Sequence, residues 1–338
     1  MDLPLFIKQQ DIISKETAEV LLSHGANVNE KDKDVGTALH YAAIENSKET
    51  SELLLLHGAN VNEKDKDVGT ALHIAAIENS KETSELLLLH GANVNEKDKD
   101  VGTALHYAAY KNSNRSNRTS SFTHGANVNE KDKDGETALH KAAYKNRKET
   151  SEVLLSHGAN VNEKDKDRFT ALHIAAYKNR KEATEVLLSH GANVNEKDKY
   201  RFTALHIAAY KNSKEATELL LSHGANVNEK DKDGETALHI AVDKNRKETT
   251  EVLLLHGANV NEKDKDVGTA LHIAAYKNRK ETSELLLLHG ANVNEKDKDV
   301  GTALHIAAIK IVKKHPNFFF YMVQMSMKKI NMEKPLFI

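Results

Sequence analysis

Histidine is the residue here most able to do chemistry, with 19 copies in the chain. All but His315 fall into two regularly spaced sets. The first is His40, His73, His106, His140, His173, His206, His239, His272 and His305; the second is His24, His57, His90, His124, His157, His190, His223, His256 and His289. Imidazole can hold a metal or carry a proton. A metal centre needs a local constellation, however, and these residues form a lattice with every member in the same surroundings. The acidic run Asn162-Glu163-Lys164-Asp165-Lys166-Asp167 alternates carboxylate with ammonium. A calcium loop needs closely spaced oxygen ligands and a central glycine, so this run reads as a solvated loop. No nucleophile motif, Gly-rich phosphate loop or isolated carboxylate pair is present. No catalytic, cofactor-binding or metal-binding residue is expected, and the chain does not read as an enzyme.

The lattice leads to the elements that carry it. Thr-Ala-Leu-His begins at Thr37, Thr70, Thr103, Thr137, Thr170, Thr203, Thr236, Thr269 and Thr302, a step of 33 residues except for 34 between Thr103 and Thr137. Such a period decides the architecture before any local argument does. Thr137 precedes a breaker-free Ala/Leu run, so its hydroxyl is placed to cap a short helix with a small-residue face of Leu139, Ala142 and Ala143. Asn146 tolerates the left-handed turn to a second helix and, with Glu149, fits its cap. Val153, Leu154 and Leu155 form that helix's apolar stripe, and Gly158 its left-handed stop. One such unit cannot bury its own leucines, so copies must stack.

Thr-Ala-Leu-His, the Ala-Ala pair, the leucine run, Gly-Ala-Asn-Val-Asn and the period together resemble ankyrin repeats over Ser14 to Ala308. The departure is Ala where the family usually has Pro after Thr, and Ala also suits a first helical turn. The resemblance implies an all-α ankyrin-repeat solenoid of stacked helix-turn-helix units with protruding hairpin-like loops. It implies that each first-helix histidine hydrogen-bonds loop backbone in its own or the next unit. It also implies a non-catalytic scaffold holding a partner protein or peptide on the concave surface of loop tips and first helices.

Lys plus Arg (48) nearly cancels Asp plus Glu (50), so no global field draws nucleic acid or anionic membrane. Cysteine is absent, which excludes thiolate metal sites and suits a reducing compartment. No basic stretch followed by a long apolar core stands at the start, so no secretory signal is expected, and the apolar run Phe318 to Val323 is too short to span a bilayer. A monomeric, intracellular, cytoplasmic protein is expected, with no nucleic acid and no membrane insertion.

The period breaks in three places. Residues 1–13 are irregular, 14–112 form a first repeat block, 113–123 replace a leucine helix with Ser/Asn/Arg/Thr, 124–309 form a second block, and 310–338 are an atypical tail. One cause fits all three breaks. With suitable codons, dropping one nucleotide before Asn114 turns the segment to Phe122 into Ile-Glu-Val-Ile-Glu-Leu-Leu-Leu-Ser. Dropping two before Pro4 gives Ala-Leu-His-Lys-Ala-Ala, and two before Asn317 gives Leu-Leu-Leu-Leu-His-Gly-Ala-Asn-Val-Asn. Met1 to Ile13, Asn114 to Thr123 and Lys310 to Ile338 therefore read as repeats translated out of frame, the alternative being evolved caps and an insertion. Either way the array is expected to be weakest at 113–123. Lys310 onward is expected to form an apolar helix over the last repeat, broken at Pro316, failing which Phe318 to Tyr321 are exposed.

Positions that vary within the fixed frame are the candidates for binding. Most units carry Asp-Val-Gly or Asp-Gly-Glu before Thr-Ala-Leu-His, but two neighbours carry Asp167-Arg168-Phe169 and Tyr200-Arg201-Phe202. After the Ala-Ala pair stand Tyr144, Tyr177 and Tyr210, and Arg147 and Arg180 follow Asn. Tyr and Arg are the residues enriched in binding hot spots. These residues other than Asp167 are expected to meet an acidic or extended peptide. The alternatives are neutral drift among copies, a helical-repeat nucleic-acid binder, or a degenerate gene product without a specific partner.

Overall fold

The computed structural model describes residues 15–111 and 117–314. The out-of-frame readings of Met1 to Ile13 and of the tail beyond Lys314, with Pro316 and Phe318 to Tyr321, lie outside the described residues. All 18 helices among them are α-helices, with no strand. They fall into two units, Met1–Lys199 and Tyr200–Ile338.

In the first unit α1 (Lys15–Ser23) precedes five pairs of a short first helix and a longer second one. These are α2 (Ala38–Ile44) with α3 (Lys48–Leu56), α4 (Ala71–Ile77) with α5 (Lys81–Leu89), α6 (Ala104–Lys111) with α7 (Asn117–Thr123), α8 (Ala138–Tyr144) with α9 (Lys148–Ser156), and α10 (Ala171–Tyr177) with α11 (Lys181–Ser189). The second unit holds α12 (Ala204–Lys211) with α13 (Lys214–Ser222), α14 (Ala237–Asp243) with α15 (Lys247–Leu255), α16 (Ala270–Tyr276) with α17 (Lys280–Leu288), and α18 (Ala303–Lys314). Within each unit first helices pack on first helices and second on second, which makes two layers.

The core is the same few positions repeated. Leu139, Ala142 and Ala143 of α8, and their counterparts in neighbouring first helices, are fully buried, and the alanines allow that close approach. Leu154, Leu187, Leu220 and Leu253 seal the second layer. Gly158 has φ +86 and closes α9, with Ala159 N–H donating back to Leu154 O at 3.0 Å.

One local expectation is corrected and another is extended. Asn146 does take the left-handed turn (φ 59), but Arg147, not Asn146, is the N-cap of α9. The Asn146 side chain serves the next repeat: its Oδ1 accepts from Ala183 N–H at 3.1 Å and its Nδ2 donates to Glu182, both in the first turn of α11. The cap at Thr137 is reciprocal. Its hydroxyl faces the backbone of His140, while the His140 ring reaches back to the Thr137 N–H.

α7 is the irregular member. Phe122 and Thr123 are buried in its last turn, and Thr119 is buried against Thr150 of α9, the two hydroxyls 3.3 Å apart. It still packs against α5, α6 and α9.

Candidate partner-binding surface

Three ladders join one repeat to the next and position its surface. In the first, Thr137 N–H donates to His140 Nδ1 (3.1 Å), which leaves the ring proton on Nε2, directed at Phe169 O (3.1 Å). The arrangement recurs from His40 to Gly69 O, His73 to Gly102 O, His106 to Glu136 O, His206 to Glu235 O and His272 to Gly301 O. Burial pushes the imidazoles of His73, His106, His140 and His239 down. These six members of the first histidine set thus act as an inter-repeat latch, whereas the buried Nε2 of His239 has no partner among the described residues, and members of the second set cap their own helix, as His57 Nδ1 does on Leu53 O (2.8 Å).

The second ladder is asparagine. Asn29 Nδ2 donates to Gly58 O (3.1 Å) while its Oδ1 accepts from Asn60 N–H (2.7 Å). The third joins the loops: Lys66 N–H donates to Asp34 O (3.1 Å), with Lys66 Nζ on Asp34 Oδ1 and Lys31 Nζ on Glu63. Exposed pairs of this kind contribute little each, but they neutralise the loop lysines locally. Each loop is closed by its own aspartate, as Asp165 Oδ1 accepts from Asp167 and Phe169 N–H.

On this frame the candidate residues occupy two levels. At the loop level of the first unit, Arg168 is exposed and left-handed (φ 65), and Phe169 lies edge-on to His173 at 5.4 Å. In the second unit Arg201 repeats this (φ 66), Phe202 stacks on His206 (5.7 Å), and Tyr200 lies 6.4 Å from Phe202. At the helix-end level the tyrosines form a ladder with lysine. Tyr110 stacks on Tyr144 (6.2 Å), Lys145 Nζ lies 4.0 Å from the Tyr110 ring centre and Lys178 Nζ 4.3 Å from that of Tyr144. The hydrogen bond and charge of Lys178 pull the Tyr144 phenol below its ordinary value. In the second unit Lys244 lies over Tyr210 and Lys310 over Tyr276. Tyr177, Tyr200 and Tyr210 remain 44, 51 and 45 % exposed.

The arginines are less available. Arg180 Nε donates to Tyr144 O (3.2 Å), the free carbonyl end of the preceding first helix, and Arg246 does the same to Tyr210 O. Arg147 Nε is buried without a partner among the described residues.

The sequence reading passed over the position after Thr-Ala-Leu-His, which holds Tyr41, Tyr107 and Lys141 where other copies have Ile. That variation was the signal. Tyr107 donates to Asp98, and Lys141 bridges Asp132 (2.7 Å) and Glu136. Both line a cavity of about 240 Å³ with Tyr110, Asp100 and Asp134. In the second unit a cavity of about 390 Å³ is lined by Ile273, Tyr276, Ile306, Lys277 and Glu235. Burial and the surrounding Asp231, Asp243 and Asp264 push Glu235 up to about 7.

No group of His, Asp and Glu able to hold a metal occurs among the described residues, and no helix there is long and apolar enough to cross a membrane. No curated protein matches the chain. Profiles of ankyrin repeats in many copies match residues 14–55, 39–88 and 72–116, and profiles of ankyrin repeats in 3 copies match 105–198, 191–264 and 257–333. Such repeats are generally protein–protein interaction modules and typically non-catalytic. With near-identical helix pairs joined by the same ladders over nearly all its described length, this chain belongs to the ankyrin-repeat family.

Proposed function

We propose that the protein is a non-enzymatic intracellular scaffold that holds a partner protein or peptide on the face formed by the loops and first helices. The observation that carries this reading is the exposure of large rings at the loops and first-helix ends of each unit, Tyr177 in the first and Tyr200 and Tyr210 in the second. Large rings held at low entropic cost are what protein interfaces use as anchors. Arg168 and Arg201 at the loop tips add positive charge, which favours an acidic or extended segment. Tyr144 and Arg180 support the strip from below, since the bond from Arg180 Nε to Tyr144 O runs between repeats, while the Arg147 Nε is buried. A nucleic-acid partner is disfavoured because the loop lysines Lys66, Lys99, Lys133 and Lys199 are each paired with an aspartate. A product without a partner is the remaining alternative.

The test is affinity capture followed by mass spectrometry, using the wild type and Arg201→Ala/Phe202→Ala. A partner recovered by the wild type and lost by the variant, with helicity retained, supports the strip. Equal recovery by both removes the strip as the site.

A further inference from the structure

We propose that the second unit holds a receptor for a lysine side chain of the partner protein, centred on Glu235 beside α14 and α16. The inference deepens the reading of the loop and first-helix face as a protein-binding surface and rests on it for the source of the lysine. The chain supplies its own comparison. The loop Asp132-Lys133-Asp134-Gly135-Glu136 of the first unit recurs residue for residue as Asp231-Lys232-Asp233-Gly234-Glu235 in the second. Both loops close alike: Asp132 Oδ1 accepts from the Asp134 and Glu136 N–H groups, and Asp231 Oδ1 from those of Asp233 and Glu235.

What differs is the cation. In the first unit an ammonium bridges the two acidic side chains, Lys141 Nζ lying 2.7 Å from Asp132 Oδ2 and donating to Glu136. In the second unit a buried Ile240 stands in the lysine's place, and neither Asp231 nor Glu235 has an ion pair among the described residues. A second change deepens the deficit, since Asp243 replaces the ring of Tyr144. The same pair of carboxyl groups, in the same loop frame, has thus lost a positive partner and gained a negative neighbour. Acidic residues gathered together do not by themselves specify what they bind. Here identical residues elsewhere in the chain do specify it: an ammonium on an aliphatic stem.

The lysines nearby are engaged elsewhere. Lys244 and Lys277 both pair with Asp243 (2.8 and 2.9 Å), Lys298 pairs with Asp266 (2.7 Å), and Lys310 lies over the Tyr276 ring. Burial and the fields of Asp231, Asp243 and Asp264 hold Glu235 up to about 7, the behaviour of a carboxyl whose cation is missing. There is room for one to enter. Glu235 and Asp264 line the cavity of about 390 Å³, and Ile273 and Tyr276 give it apolar walls for a methylene stem. The corresponding cavity of the first unit is smaller, about 240 Å³, with Tyr107 and Lys141 in the places of Ile273 and Ile306. A metal ion does not suit the site, because no group of carboxylates able to hold one occurs among the described residues.

Methyl NMR on the isoleucine-labelled full chain tests the receptor, at pH 8 where Glu235 is ionised. The probe is the tripeptide acetyl-Ala-Lys-Ala-amide, which is expected to shift the Ile273 methyl resonances saturably. The same tripeptide with Nε-acetyl-lysine is neutral and is expected to leave them unchanged. Ile240→Lys rebuilds the pair of the first unit and is expected to abolish binding. Should that variant lose helicity, Glu235→Gln decides, with binding expected to weaken roughly tenfold. Arg201→Ala/Phe202→Ala, which removes the strip, is expected to leave this titration unchanged, so the strip and the receptor fail separately. No saturable shift, equal binding of the acetylated tripeptide, binding retained by a folded Ile240→Lys, or Glu235→Gln binding as tightly as the wild type would each overturn the receptor. Tighter binding of free cadaverine than of the tripeptide would overturn its assignment to a protein side chain.

Discussion

Mild acid should loosen the helices around His73, His106 and His140 before the ordinary carboxylates of the protein titrate. Each of these rings is buried and neutral, with Nδ1 accepting from a threonine N–H and Nε2 donating to the next repeat. Burial is the largest influence on each and lowers its folded pKa; Asp98, Asp132 and Asp165 respectively pull the other way without reversing it. A lowered folded value means that the unfolded chain takes up the proton first. The stability is therefore present above about 6.5 and lost as pH falls below it. One such ring contributes at most about 1.4 kcal/mol per pH unit, and three contribute up to about 4, a large part of an ordinary domain stability of about 5–15 kcal/mol. Around His239 the balance differs. Glu235, raised to about 7, binds its proton more tightly folded than unfolded, so its contribution grows as pH falls from about 7 towards 4.5 and offsets that histidine. Hydrogen exchange read helix by helix between pH 7.5 and 5.5 is the assay. Protection, corrected for intrinsic exchange, should fall in α4 to α10 and hold in α14 to α16. Equal loss in both regions, or an onset only below pH 4.5 where carboxylates titrate, would refute the latch as the acid-labile element.

The remaining predictions concern turns and the irregular helix. Val68 is held at φ 63, costly for a β-branched residue, where two other repeats have Gly135 and Gly234. Val68→Gly is expected to raise stability by about 1 kcal/mol in thermal or urea unfolding. The reverse change, Gly135→Val, should cost at least about 2 kcal/mol, because its Cβ would lie 2.9 Å from Lys166 N. Asn146→Ala removes the cap of α11 and puts alanine in the left-handed region, for a loss of about 2–3 kcal/mol by the same measurement. Calorimetry should resolve two transitions, about Ser14 to Asn112 and His124 to Ala308, since Phe122 alone stands in for the leucines of α7 and each lost core leucine costs roughly 2–5 kcal/mol. A single transition seen alike by two probes would contradict that division. Genomic and transcript sequencing across Asn114 to Thr123 tests the frame: codons incompatible with the shifted reading end the idea.

The repeat itself was legible because period, helix breakers and the glycine stop are local properties of the sequence. Gly158 and the left-handed Asn146 could be read one unit at a time. What escaped depends on the neighbouring copy. Asn146 caps a helix 37 residues away, which no single unit reveals, and so its own helix was given the wrong cap. Arg180 was chosen for its hot-spot chemistry, whereas its Nε is bonded to the carbonyl end of α8. Tyr107 and Lys141 lay in a column that reads as one more core position until the helix is turned and that side is seen to face the loops. The lysine that follows a helix-end tyrosine sits over the tyrosine of the preceding repeat, as Lys145 does over Tyr110 and Lys178 over Tyr144.

The most direct measurement of the repeat-to-repeat account is the nitrogen spectrum of His140 at pH 7 in selectively labelled protein. The account predicts a neutral ring protonated on Nε2, with a scalar coupling across the hydrogen bond to the carbonyl of Phe169, 29 residues on. A ring protonated on Nδ1, or a charged imidazolium, would contradict it.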